Sequence, residues 1–371
     1  MASPLSPAER LARLRLARSE NVGPVTFRDL LGHFGNAVAA LDALPELASR
    51  GGAKRRIEIA TAADAEAEFA KTEKSGGRLL VLGDEEFPFR LAAVDPPPPV
   101  ISVAGDVALL ARKSIAIVGS RNASAAGRRI AATMAEALAA EGFAIVSGLA
   151  RGIDTAAHRA SLATGTVAVL AGGLDIVYPE ENRDLQTGIA SQGALVTEMP
   201  PGTSPQARHF PRRNRLISGL SLAVVVVEAA LRSGSLITAR FALEQGRDVF
   251  AVPGSPLDPR AQGANRLIKD GAPLVENAAD VIAALAEPPG RRFGEPESPS
   301  WAPRAAPGIP DDEDARARIL SALGPTPTPL DDIVRQSGAS VPLVRSVLLE
   351  LELAGRLHRD PGDRVSLLPE V

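Results

Sequence analysis

Several short stretches combine glycine, serine and arginine at the density an anion-binding surface needs. They are Gly119-Ser120-Arg121-Asn122-Ala123-Ser124, Ser147-Gly148-Leu149-Ala150-Arg151-Gly152, Gly172-Gly173, Phe210-Pro211-Arg212-Arg213-Asn214-Arg215, Ser233-Gly234-Ser235 and Pro253-Gly254. Glycine lets backbone come close to a ligand. Serine hydroxyls and helix N-termini donate to phosphate oxygens, and arginine adds charge and a two-pronged donor. Spread over several segments, Arg121, Arg151, Arg212, Arg213 and Arg215 suit a polyphosphate or a nucleic-acid strand better than one small anion.

Other chemistry is poorly supported. The stretch GSRNASAAG lacks the GxGxxG spacing that dinucleotide contact requires, and Ser147 stands where a ribose-binding acid would end the second strand. There is no GxxxxGK[ST] phosphate loop. The chain has no Cys, which excludes disulfides, thiolate metal sites and Cys nucleophiles. His33, His158, His209 and His358 form no close ligand pair, so neither a metal nor a cofactor is expected. Asp154 and His158 share a helix face and read either as a catalytic pair or as helix capping and packing. Glu228, after a run of valines, reads either as a general base or as a carboxylate that caps loop N–H groups or orients the Arg213–Arg215 segment. Ser120 and Ser147 read as phosphate donors rather than nucleophiles, because no histidine is placed to activate them.

These residues follow apolar runs that must be strands. Ser114–Gly119, Phe143–Ser147, Thr166–Ala171, Ala194–Glu198, Ala223–Glu228 and Val249–Pro253 are β-branched and continuous, and helical segments such as Ala125–Glu141 lie between most of them. That alternation predicts an α/β fold, a Rossmann-like, doubly wound parallel sheet covered on both faces. Ligands then sit at the carboxyl ends of the strands, where the glycine- and arginine-rich stretches fall.

Two composition shifts divide the chain. Residues 93–100 form a proline wall, and residues 287–310 are rich in Pro, Gly and Ser and read as a linker. The expected pieces are 1–99, 100–286, 287–310 and 311–371. The first reads as helical. Leu11, Leu14 and Leu16, then a Gly23-Pro24 turn, then Phe27, Leu30 and Leu31 resemble a helix-hairpin-helix (or SAM-like) unit, and Gly51-Gly52 suggests a second hairpin. Such turns can offer backbone N–H groups to DNA phosphates, or simply pack. The last piece predicts helices at 312–323, 330–337 and 341–354 and a hairpin around Asp360-Pro361-Gly362-Asp363, a winged-helix domain. No apolar run approaches the length of a membrane span, and the N-terminus lacks a secretory signal. A soluble cytoplasmic protein with no membrane partner is expected.

Taken in order, these strings resemble the DprA/Smf family (DNA-processing protein A). The resemblance rests on GSR at 119–121, SGLARGID at 147–154 and GGLDIVYPEEN at 172–182. It continues in FPRRNRLISGLS at 210–221, VVEAALRSGSLITARFALEQGRDVFAVPG at 226–254 and GANRLIKDGA at 263–272. It implies a non-enzymatic protein that binds and protects single-stranded DNA, helps load RecA during natural transformation, and forms a homodimer through the Rossmann-like domain. The implied DNA contacts are Arg121, Arg151, Phe210, Arg212, Arg213, Asn214 and Arg215, with Lys269 facing DNA and Phe210 as the stacking or wedge residue; the reading of the loops adds Gly119, Ser120, Ser147, Gly148, Ser233, Gly234 and Ser235. The implied dimer contacts are Asn265, Ile268 and Leu274.

Charge is segregated. The net charge of −3 divides into −1 for 1–99, +2 for 100–286, 0 for 287–310 and −4 for 311–371. A helix that reads duplex DNA normally brings positive charge. The third helix of the winged-helix piece carries Arg345 against Glu350 and Glu352, so a protein-contact or regulatory role is expected for it. A nucleotide phosphoribohydrolase is the enzymatic alternative, but its PGGxGTxxE signature would need a glutamate where Phe241 stands.

Overall fold

A computed structural model of the chain describes residues 4–286, 313–360 and 362–368. The expected linker at 287–310 lies outside the described residues. In chain order the elements are α1 (Pro7–Arg18), α2 (Pro24–Phe34), α3 (Ala37–Arg50), α4 (Ala62–Lys74), β1 (Gly77–Val81), α5 (Phe89–Ala92), β2 (Val100–Gly105) and β3 (Ser114–Val118). Then come α6 (Ala125–Ala140), β4 (Ala144–Ser147), α7 (Ile153–Ser161), β5 (Thr166–Val169), α8 (Arg183–Gln192), β6 (Ala194–Thr197), α9 (His209–Leu220) and β7 (Ala223–Val226). The chain continues with α10 (Gly234–Glu244), β8 (Asp248–Ala251), α11 (Gln262–Lys269), α12 (Ala278–Ala286), α13 (Glu313–Ser321), β9 (Thr328–Pro329), α14 (Leu330–Ser337), α15 (Val341–Leu353), β10 (Leu357–Asp360) and β11 (Arg364–Leu367).

Two compact units result, one of Ala67–Ser300 and one of Met1–Glu66 with Trp301–Val371. The first holds an eight-stranded sheet in the order β1-β2-β6-β5-β4-β3-β7-β8. Strands β3 to β8 are all parallel. Their side chains alternate between two apolar layers. Val118, Val146, Val167 and Val224 enter one, and Ile115, Ile117, Ile145 and Val225 enter the other. Both faces are buried, which is why these strands read as unbroken apolar runs. From β3 the chain winds outward through β4, β5 and β6, then returns to lay β7 on the other side of β3. The topological switch therefore lies between β3 and β7, where ligands of such sheets bind.

The domain boundary expected at residue 99 falls too late. β1 and β2 pair antiparallel, and β2 joins the sheet by pairing antiparallel with β6. The proline wall is a connection inside this unit, and the sheet's edge reaches back to Gly77.

The other unit combines two helical modules. In the first, Ser6 caps α1 by accepting from Glu9 N–H at 3.2 Å. Pro7 and Pro24 open α1 and α2 at positions where a missing N–H costs nothing. Leu14, Leu16, Phe27, Leu30, Leu31 and Leu44 are all fully buried. The second module is a winged helix, with α13, α14 and α15 close to their expected ranges. Its hairpin pairs Leu357–Asp360 with Arg364–Leu367.

Candidate nucleic-acid interface

The interface is built at the switch point. Glu228, just past β7, accepts from the Ser124 backbone N–H at 2.9 Å and from the Ser124 hydroxyl at 2.6 Å. This clamps the Gly119–Ser124 loop at the start of α6. Glu228 is thus the loop-capping carboxylate that one reading of the sequence expected. The arginine partner suggested for it is not there: Arg215 pairs with Glu198 at 3.1 Å instead.

The loop after β4 is held from beneath. Asp154 Oδ2 accepts from the Gly148 N–H at 3.1 Å and the Ala150 N–H at 3.2 Å. Between them Leu149 is buried with a left-handed φ of 55°, a conformation that costs a β-carbon residue about 1–3 kcal/mol. Its neighbours enforce it. Leu149 N–H donates to His158 Nε2 at 3.3 Å, and Asn182 donates to Leu149 O at 2.9 Å. The Thr166 hydroxyl is committed to Ile145 O at 3.0 Å, so His158 Nδ1 is the donor in its 2.7 Å contact with Thr166. The imidazole is neutral. Burial pushes its pKa down to about 3, and the Arg213 charge adds to that depression. Burial raises the Asp154 pKa, against the pull of Arg213. Both residues hold the loop in place.

Above this scaffold lie two adjoining clefts. One, of about 380 Å³, is walled by Arg121, Arg151, Tyr178, Phe210, Arg213 and the backbone of 148–150. The other, of about 560 Å³, is bounded by Gly119–Asn122, Asn214 and Ser233–Ser235. Arg121, Ala150, Phe210 and Arg213 line both. The Arg121 guanidinium carbon sits 5.0 Å from the Phe210 ring centre and that of Arg213 sits 5.9 Å away, within cation–π range. Tyr178 tilts at 57° to Phe210 with ring centres 5.7 Å apart. Tyr178 was not among the expected contacts. The signal was present in the GGLDIVYPEEN string, but only the fold brings that loop against α9.

Arg213 is the distinctive group. It is buried, burial lowers its pKa to about 10, and its Nε has no hydrogen-bond partner among the described residues. Asp154 supplies a nearby counter-charge, but the unpartnered Nε is a buried donor that a ligand phosphate reaching this cleft would satisfy.

The remaining expected contacts divide. Gly119, Ser120, Arg121, Gly148, Arg151, Phe210, Arg213, Asn214, Ser233, Gly234 and Ser235 all line one cleft or both. Ser233 caps α10, accepting from Ser235 N–H at 3.3 Å, and Asn214 donates to Gly234 O at 3.1 Å. Arg151 is exposed and lies 3.6 Å from Glu181. Arg212 and Lys269 are exposed but line neither cleft. Ser147 does not face a ligand: it is fully buried and its hydroxyl donates to Ile117 O at 2.6 Å, tying β4 to β3. Arg215 points away from the clefts, donating to Pro96 O and to Glu198. Its segment is helical, and two residues apart on a helix means nearly opposite faces. Asn265 spends both ends of its amide on Gly254, at 3.1 and 2.8 Å. Ile268 packs partly against the core, while Leu274 is 49% exposed. Among the described residues no group of His, Asp and Glu could hold a metal ion. None of their helices is long and apolar enough to cross a membrane.

Comparison with known proteins matches the full layout. Residues 78–286 match the family described as DNA recombination-mediator protein A. Residues 7–70 match a DprA-like N-terminal HHH domain and residues 303–363 a DprA winged helix domain. This chain belongs to the DprA/Smf family. Among DprA/Smf relatives, Protein Smf of Escherichia coli (strain K12) is 42% identical over 80% of this chain and 79% of its own length. The DNA processing protein DprA of Bacillus subtilis (strain 168) is 45% identical over 59% of this chain and 74% of its own. Among solved DprA structures, that from Streptococcus pneumoniae aligns with a TM-score of 0.63 at 34% identity, over 76% of this chain and 98% of that one. One from Helicobacter pylori, described for its single-stranded DNA binding mode, aligns with a TM-score of 0.52 at 30% identity, over 56% of this chain and 95% of that one.

Proposed function

We propose that this protein binds single-stranded DNA along the carboxyl edge of the β3–β7 switch and acts without catalysis as a recombination mediator in DNA uptake, loading RecA onto the strand. The observation that carries the reading is the buried Arg213 with its unbonded Nε, set beneath Phe210 and beside Arg121. It supplies a phosphate seat and a base-facing ring in one place. Single strands are bound by such pairings of basic groove and aromatic face, whereas a duplex hides its bases from a lone ring. The Helicobacter pylori relative, named for single-stranded DNA binding, supports the same ligand.

In this reading Arg121, Arg151 and Arg213 take phosphates, Phe210 and Tyr178 take a base, and the α10 N-terminus at Ser233–Ser235 takes a second phosphate. Arg212 and Lys269 extend the positive field. The protein works in the cytoplasm as a homodimer, with the exposed Leu274 and the half-buried Ile268 in the contact and Asn265 shaping it from inside. The test is a gel shift with single- and double-stranded oligonucleotides, with and without RecA. Preference for the single strand and faster RecA filament formation are expected. Equal binding of both forms would overturn the reading.

A further inference from the structure

The last helix of the winged-helix module, α15, is buried on more than one side. Leu343, Val344, Val347, Leu348 and Leu351 belong to the winged-helix core. Leu349, Glu350 and Leu353 are also buried yet lie outside that core, and α15 lies against α2 and α3 of the N-terminal module. In a duplex-reading winged helix this third helix would need a free face for the major groove. Here that face already has an occupant.

The contact is specific and charged. Glu350 is fully buried. Its carboxylate lies 3.1 Å from Arg50 Nε, at an ion-pair distance without hydrogen-bond alignment, and it pairs with Arg316. Arg316 also donates to Arg50 O at 2.6 Å, and Arg356 donates to Gly51 O at 3.2 Å. Two winged-helix arginines thus cap the negative end of α3, a favourable placement at a helix C-terminus. From the other side Asn21 donates to Leu353 O at 3.1 Å, and Arg359 bridges Glu352 and Asp29 at 2.9 and 3.5 Å.

Gly51 shows how close the seat is. A Cβ there would stand 2.0 Å from Glu350 O. Its own backbone, at φ −69° and ψ −8°, suits any residue. The missing side chain therefore serves the neighbour, not the turn. The backbone donors of this turn are also spent, since Gly51, Gly52 and Ala53 N–H groups all return to α3 carbonyls. They are not available to a DNA phosphate.

We infer that α15 is a docking helix whose partner is the N-terminal hairpin module of the same chain, seated on the Gly51 turn by Glu350, and that neither the second hairpin nor α15 reads duplex DNA. The two glutamates of α15 serve this role: Glu350 and Glu352 hold arginines in place.

The test uses the full chain with a specific protease site inserted between residues 296 and 300 and an affinity tag at the N-terminus. After cleavage the winged-helix fragment should stay bound to the tagged part. Gly51→Ala should weaken that retention at least tenfold, while Gly32→Ala, at an unencumbered site on α2, leaves it unchanged. Arg50→Glu should release the fragment and Arg50→Lys should retain it. Duplex affinity should not rise when the fragment is freed. Release of the fragment from the otherwise unaltered chain, indifference to Gly51→Ala, or a tenfold gain in duplex binding by Arg50→Glu would each overturn the inference.

Discussion

Nη1 of Arg213 occupies the space that a β-carbon on Gly148 would need, 1.4 Å from that position. The glycine of the β4 loop and the arginine of α9 are thus one device: the loop is bare so that the guanidinium can lie across it, under Phe210. Gly148→Ala should displace Arg213 and cost about 1–3 kcal/mol of stability by overpacking. Single-strand affinity should fall at least tenfold. Fluorescence anisotropy with a labelled oligonucleotide, alongside thermal melting, checks both. Unchanged affinity would separate Arg213 from binding.

Phe210 should contribute through its face. Phe210→Ala should lose about 1–3 kcal/mol of binding free energy, the range for one stacked base, and Phe210→Leu should lose most of it too. Titrations with an abasic oligonucleotide should show no penalty for either change, because no base is then present to stack.

Arg215, although only two residues from Arg213, is a structural group. Arg215→Ala removes a largely buried guanidinium that donates to Pro96 O and to Glu198, and stability should drop by about 1–3 kcal/mol. Single-strand affinity of the remaining folded protein should match that of the unaltered chain. A melt and a binding isotherm on the same preparation decide this, and a selective loss of affinity would return Arg215 to the DNA surface.

His158 gives a pH signature. Its pKa in the folded protein is about 3, against roughly 6.5 in an unfolded chain. Below pH 6.5 the unfolded chain takes up a proton that the folded one refuses, so this residue lowers stability as pH falls from about 6.5 to about 3. Asp154 has a raised pKa and acts in the opposite sense, favouring the fold at low pH and losing that contribution as pH rises. The effect of His158 therefore appears as a difference: across pH 7 to 5, the melting temperature of the native protein should fall more steeply than that of His158→Gln.

Much of this is legible in the sequence. The six parallel strands declare themselves because burial on both faces forces unbroken β-branched runs, and the positions after them, such as Gly119–Arg121, must then share one edge. β1 and β2 were not legible as sheet. Gly77–Val81 is short and follows a helix, and the prolines before Val100 read as a border. The direction of each side chain was the other blind spot. Arg213 and Arg215 are equivalent in the string, and only the helical turn beginning at His209 sends them to opposite faces. Ser147 ends its strand inside the sheet, where its hydroxyl meets a neighbouring carbonyl. Glu350 and Glu352 read as unsuited to duplex DNA, but the Arg50 that faces Glu350 is hundreds of residues away in sequence.

Binding at the switch-point edge is tested most directly by the salt dependence of single-strand affinity in the native protein and Arg121→Ala. If Arg121 neutralises one phosphate, the slope of log K against log salt should become shallower by about 0.7, with weaker binding at every salt concentration below the point of convergence. Identical slopes and affinities for the two proteins would contradict a DNA site at this edge.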